Sequence, residues 1–160
     1  MKTDFERVAA VCAWEVKTIN LNTREAIKRD GRCSYVWADG MRIYATNGAL
    51  CVSVLDNRPK GFYYPNGQRA ELNKTPLDFE RVFSQGSGRM VIEEEFLPVL
   101  KGRAFTIIGQ EEGKAFNKEF YNFCKKFVGG DLWLVFDNDE GKLLLSGSKG
   151  QAAIRCCRYI

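Results

Sequence analysis

The sequence contains no histidine, and that one absence removes a wide range of chemistry. Ser-His-Asp and Cys-His nucleophile arrangements are excluded. So is the commonest transition-metal ligand. Proline is scarce, at 4 in 160 residues, and 45% of the residues are hydrophobic, which excludes a Pro-rich disordered chain. No stretch approaches the ~20 apolar residues of a membrane span. Charges at Lys2, Asp4, Glu6 and Arg7 and the break of the apolar run 8–14 by Glu15 leave no expectation of a secretory leader. None of the six cysteines (Cys12, Cys33, Cys51, Cys124, Cys156 and Cys157) forms a C-x-x-C pair. A four-cysteine zinc site needs such pairs, so no structural metal is expected. Reduced, mostly buried thiols in a cytoplasmic protein are expected instead.

What is present suits one domain of ordinary size spanning 1–160. Net charge is +4 and the pI is about 8.7, a mild basicity that permits a polyanionic partner without demanding one. Residues 3–19 carry apolar side chains at helical spacing, Phe5, Val8, Ala9, Cys12, Val16 and Ile19, behind Thr3 or Asp4 as cap. A polar stretch 20–32 reads as loop, with a short helix at 23–28. Strands are expected at 33–37, 41–46 and 49–55, joined by the turns Asp39-Gly40 and Asn47-Gly48.

The end of the chain repeats that order. A helix is expected over 117–128, with Phe120, Phe123, Cys124 and Phe127 on one face and Gly129-Gly130 as its stop. Strands at 132–136, 142–146 and 151–159 follow. Aligning Gly40 with Gly141 places Ile43 on Leu144. The fold class expected is therefore α+β, with duplicated α-β-β-β halves (1–55 and 117–160) whose two helices pack on antiparallel sheets. The middle, 56–116, reads as an irregular insertion. It holds a loop at 57–67 with an aromatic anchor, a short helix at 77–83, a helix at 93–101 limited by Pro98, and a strand at 104–108.

No catalytic constellation emerges, and no cofactor is expected. The stretches 84–89 (SQGSGR) and 146–150 (SGSKG) lack the glycine–lysine spacing of a phosphate loop. The acidic runs Glu93–Glu95 and Asp137, Asp139, Glu140 read as a helix start and a solvated turn. Basic residues are more suggestive. Lys118, Lys125 and Lys126, with Asn122, lie away from the phenylalanine face of the second helix, and Arg7 and Lys17 are similarly placed on the first. These five cations are the candidate contacts to DNA phosphates, a mode that does not read sequence. Phe62, Tyr63 and Tyr64 are the candidate anchors for a protein partner.

The segment 42–50 (RIYATNGAL) resembles the strand–Thr-Asp-Gly–strand motif of the bacterial DNA sliding clamps, with Asn47 where that family usually has Asp. Residues 76–82 (PLDFERV) are similar to the clamp linker Phe-Pro-Asp-Tyr-Glu-Arg-Val. They are followed by Glu95-Phe96-Leu97, as a clamp helix would begin. The last 45 residues resemble the helix and meander that end a clamp domain. The resemblance implies a clamp-like domain, and ring closure would require assembly of several copies, hence a homo-oligomer. Three functions follow in order. The first is a non-catalytic binding or structural protein with a clamp-like fold, of phage or mobile-element origin, associating with double-stranded DNA or with replication proteins. The second is a protein–protein adaptor without a nucleic-acid role. The third is a metal-dependent nuclease using Asp137, Asp139 or Glu93–Glu95.

Overall fold

Thr3 starts the first helix: its hydroxyl oxygen accepts the Glu6 amide hydrogen at 3.1 Å, a cap of the kind that contributes about 1 kcal/mol. The protein is described here by a computed structural model covering residues 1–20 and 22–158. It is an α+β chain divided into two compact units, Met1–Phe79 and Glu80–Ile160. The boundary falls inside the linker-like segment 76–82.

In the first unit, α1 (Asp4–Cys12) buries Phe5, Val8, Ala9, Val11 and Cys12. It is shorter than its apolar spacing predicts. The Arg29 guanidinium donates to the Cys12 carbonyl at 2.6 Å and to the Cys33 carbonyl at 2.7 Å, fixing the helix end from a distance in sequence. Thr18–Ile19 then forms β1 and pairs with β2 (Ala26–Ile27), consistent with the stiffness of β-branched side chains. The short helix expected at 23–28 is absent; Arg24 sits at a φ of 62°. Cys33, expected to open a strand, lies in a 3-10 turn over Gly31–Ser34.

Strands β3 (Val36–Ala38), β4 (Arg42–Thr46) and β5 (Leu50–Leu55) form an antiparallel meander under α1. Both expected hairpin turns are present. Asp39 Oδ1 accepts the Met41 and Arg42 amides at 2.8 and 2.7 Å, and Asn47 Oδ1 accepts those of Ala49 and Leu50 at 2.9 and 3.0 Å. The glycines after them stand at φ 97° and 92°, where a Cβ is disfavoured. Strand β4 alternates, with Ile43 and Ala45 buried. The sheet continues through β6 (Gly61–Tyr63) and β7 (Arg69–Ala70), in the order β7-β6-β3-β4-β5. The segment 56–116 is thus not an irregular insertion. Its first part extends this sheet, because Phe62 finds Trp37 as its cross-strand partner, ring centroids 4.9 Å apart.

The short helix α2 (Phe79–Phe83) appears within its expected range. In the second unit, β8 (Arg89–Val91), β9 (Phe96–Val99), β10 (Ala104–Ile107) and β11 (Lys114–Asn117) lead into α3 (Lys118–Val128). The meander β12 (Trp133–Asp137), β13 (Lys142–Gly147) and β14 (Gly150–Arg155) follows. Two sheets result. One runs β14-β13-β12-β8, and the other runs β15-β11-β10-β9, where β15 is Cys157–Arg158.

The helix expected at 93–101 is corrected to a 3-10 turn, Glu93–Glu95, followed by β9. Pro98 cannot continue a helix here but is tolerated on an edge strand, and β9 is the last strand of its sheet. The last strand is also corrected: it breaks at Cys156, whose amide bonds to the Gly141 carbonyl at 2.8 Å, and the chain crosses to pair with β11. Its expected end at Tyr159 lies outside the described residues.

Helix α3 packs on β13 and β14. It buries Tyr121, Cys124, Phe127 and Val128. Phe120 and Phe123, expected in the core, are only half-buried.

Candidate functional site

Helix α3 carries the candidate basic face. Asn117 caps it, accepting the Phe120 amide at 3.1 Å. From that start, Lys118, Asn122, Lys125 and Lys126 recur at spacings of three to four and are all exposed, one stripe opposite the buried side. Lys125 and Lys126 occupy the last turn, where cations complement the helix dipole. Lys125 is engaged: its ammonium is 2.8 Å from Glu93 Oε1. Lys118 and Lys126 make no ion pair among the described residues. The stripe is held rigidly at its far end. The amides of Ser148 and Lys149 donate to the carbonyls of Gly130 and Val128, both at 2.8 Å.

The first helix contributes less. Arg7 is half-buried and paired with Asp4 at 2.9 Å. Lys17 is exposed but lies beyond the end of α1, in the segment leading to β1. The expected basic pair therefore does not share one helix.

Of the three candidate anchors, Phe62 and Tyr63 are buried in β6 and only Tyr64 is exposed. Phe62 packs on Tyr35 and Trp37. The Tyr63 hydroxyl donates to the Pro59 carbonyl at 2.7 Å, and the Arg58 guanidinium lies 5.3 Å from its ring centre. Both rings serve the sheet.

The acidic turn after β12 is more structured than a solvated loop. Asp137 is 1% exposed. Its Oδ1 accepts the Glu140 amide at 3.2 Å. Ser87, from the loop that precedes β8, places its Oγ 3.3 Å from that same oxygen and 2.7 Å from Asp139 Oδ2. Glu140 is drawn away by Arg81 at 3.3 Å, and the Lys142 ammonium donates to the Arg81 carbonyl at 2.9 Å. Sequence reasoning missed this arrangement because Ser87 lies some fifty positions from its partners. The SGSKG stretch, by contrast, is the hairpin turn expected between β13 and β14.

The Glu93–Glu95 run is divided between two structural roles. Glu93 holds Lys125, while Glu95 holds Arg89 at 2.9 Å. The Arg89 pair keeps the Glu95 carboxyl below its usual range. No three carboxylate or thiol side chains converge as a metal cage among the described residues. All six cysteines are free. Burial pushes the Cys12 thiol up to about 11 and the Cys124 thiol higher still, so neither is a nucleophile at neutral pH. No described helix is long and apolar enough to cross a membrane.

Compared with known proteins, the chain matches no family model, no curated protein and no solved structure.

Proposed function

We propose that this chain is a non-catalytic binding protein built on a duplicated, DNA-clamp-like α+β plan, and that it associates with double-stranded DNA through phosphate contacts. The carrying observation is the exposed stripe of Lys118, Asn122, Lys125 and Lys126 on α3, opposite a side buried in its own unit. Such a stripe neutralises phosphates without reaching base edges. Two further features support the reading. Each unit has its longest helix, then a three-stranded antiparallel meander. The linker-like segment 76–82 spans the unit boundary. Assembly of several copies, alone or with replication proteins, belongs to the same proposal.

Anisotropy titration of a labelled duplex across salt tests it. Binding should weaken linearly in log–log form as salt rises. The double variant Lys118→Glu, Lys126→Glu should lose at least about tenfold in affinity at low salt, since each phosphate contact adds to the slope. Absence of duplex binding at low salt refutes the proposal. The adaptor reading keeps one support, the exposed ring of Tyr64, and would be favoured by partners retained after nuclease treatment.

A further inference from the structure

We infer that the Asp137–Ser87–Asp139 cluster binds a hard divalent cation, of the Ca²⁺ class, independently of any nucleic-acid role. The cluster has an electrostatic defect as it stands. Asp137 is 99% removed from solvent by its 1% exposure, and its Oδ2 is buried without any hydrogen-bond partner. Its Oδ1 has one backbone donor, at 3.2 Å. The remaining neighbour is the Ser87 hydroxyl, which has a single proton to give. At 2.7 Å from Asp139 Oδ2 and 3.3 Å from Asp137 Oδ1, that proton is committed to Asp139. Two carboxylates are therefore gathered about one hydroxyl.

No Lys or Arg side chain forms an ion pair with Asp137 or Asp139 among the described residues. Arg81 pairs with Glu140, and Lys142 donates to the Arg81 carbonyl. A buried carboxylate oxygen left without a partner is unfavourable, and a bound cation compensates it.

The surroundings fit that means. Oδ2 faces Gly86, on the same loop as Ser87, and a Cβ on Gly86 would stand 2.8 Å from it. Gly86 has a φ of 50°, so the loop turns tightly and brings its hydroxyl over the acidic hairpin. The side-chain donors are all oxygens, two carboxylates and a hydroxyl, which selects hard cations over zinc or copper. Ca²⁺ accepts irregular oxygen shells completed by water, whereas Mg²⁺ demands near-ideal octahedral geometry. With two carboxylates only, the site belongs to the weak end of protein calcium sites.

Calorimetric titration of the chelator-treated full chain with Ca²⁺, carried to about 10 mM to cover that weak end, tests the inference. One saturable site per chain is expected, together with a rise in the thermal unfolding midpoint at saturation. Asp139→Asn alters an exposed residue; with the fold checked as unchanged by circular dichroism, it should weaken Ca²⁺ binding at least tenfold. Glu94→Gln, exposed in the other acidic run, should leave it unchanged. The inference is overturned by an absence of saturable heat in the unaltered chain, or by equal Ca²⁺ affinity in Asp139→Asn.

Discussion

Lys125 is clasped by Glu93, its ammonium 2.8 and 3.0 Å from the two carboxylate oxygens. Both side chains are nearly half exposed, so the pair contributes little to stability, at most about 1 kcal/mol. Its greater effect is on the field of the α3 stripe. Glu93→Gln should leave the unfolding midpoint almost unchanged and raise duplex affinity about two- to threefold at low salt, the gain vanishing at high salt. Anisotropy titrations at two ionic strengths measure this, and equal affinities for the two proteins would remove Lys125 from the interface.

Arg29 should matter more than any surface lysine for stability. Its guanidinium serves two carbonyls, one at the end of α1 and one in the 3-10 turn that precedes β3. Arg29→Met keeps the aliphatic stem and strands both acceptors, and a loss of about 2–3 kcal/mol is expected from charge-assisted bonds to backbone. Urea unfolding followed by tryptophan fluorescence reads it. A midpoint within error of the parent would mean that water replaces the guanidinium at no cost.

Stability should form a plateau between roughly pH 5 and 8.5, bounded by groups whose ionisation folding displaces. On the acid side, the Arg32 side chain holds the Asp30 carboxyl down at about 2. Burial works against ionisation of Asp39, but the Arg42 and Met41 amides and the Tyr44 hydroxyl outweigh it and keep that carboxyl low. Carboxyls depressed in the folded state stabilise above about pH 4, and their contribution is lost as pH falls through the lower folded values. On the alkaline side, burial raises the Cys12 thiol to about 11, and burial with the nearby Asp39 carboxylate raises the Tyr44 phenol to about 12. Groups raised in the folded state stabilise below their ordinary values and lose that contribution as pH climbs toward the higher ones. Thermal melts from pH 2 to 11 should trace both limbs, as such windows are about two units wide. Asp39→Asn should flatten the acid limb, and an identical limb in that variant contradicts the assignment.

Gly147 is the position least tolerant of a methyl group. A Cβ there would collide with the Val128 carbonyl oxygen and stand 2.7 Å from that of Gly130. Both are backbone atoms at the docked end of α3 and cannot swing aside. Gly147→Ala should cost about 1–3 kcal/mol, the scale of forced overpacking, whereas Gly40→Ala meets open space and should suffer only its positive φ. Paired urea curves distinguish the two.

How far these features could be read beforehand depends on the range of the interactions behind them. The Asn47-Gly48 hairpin and α3 were legible because their causes are local: an Asx acceptor beside a left-handed glycine, and a cap followed by periodic apolar side chains. The end of α1 was not, since Arg29 sets it from seventeen positions away. Nor was β6, whose Phe62 and Tyr63 look like a loop's aromatic anchor until Val36 and Trp37 are placed opposite them. The α3 lysines read as a stripe from their spacing alone, but the tie between Lys125 and Glu93 spans 32 residues. Asp137 reads as solvated because nothing adjacent in sequence reveals that the Gly86–Ser87 loop covers it.

Pro98 gives β9 a property of its own. In the ladder with β10, the Ile108 amide bonds to the Glu95 carbonyl, so the alternation of an antiparallel pair leaves residue 98, opposite Phe105, with its backbone nitrogen turned outward. That nitrogen carries no hydrogen. The outer margin of this sheet therefore lacks a donor at the middle of the strand, where an extended segment from another molecule would have to anchor. On that side of the sheet, runaway addition of strands from other molecules is disfavoured.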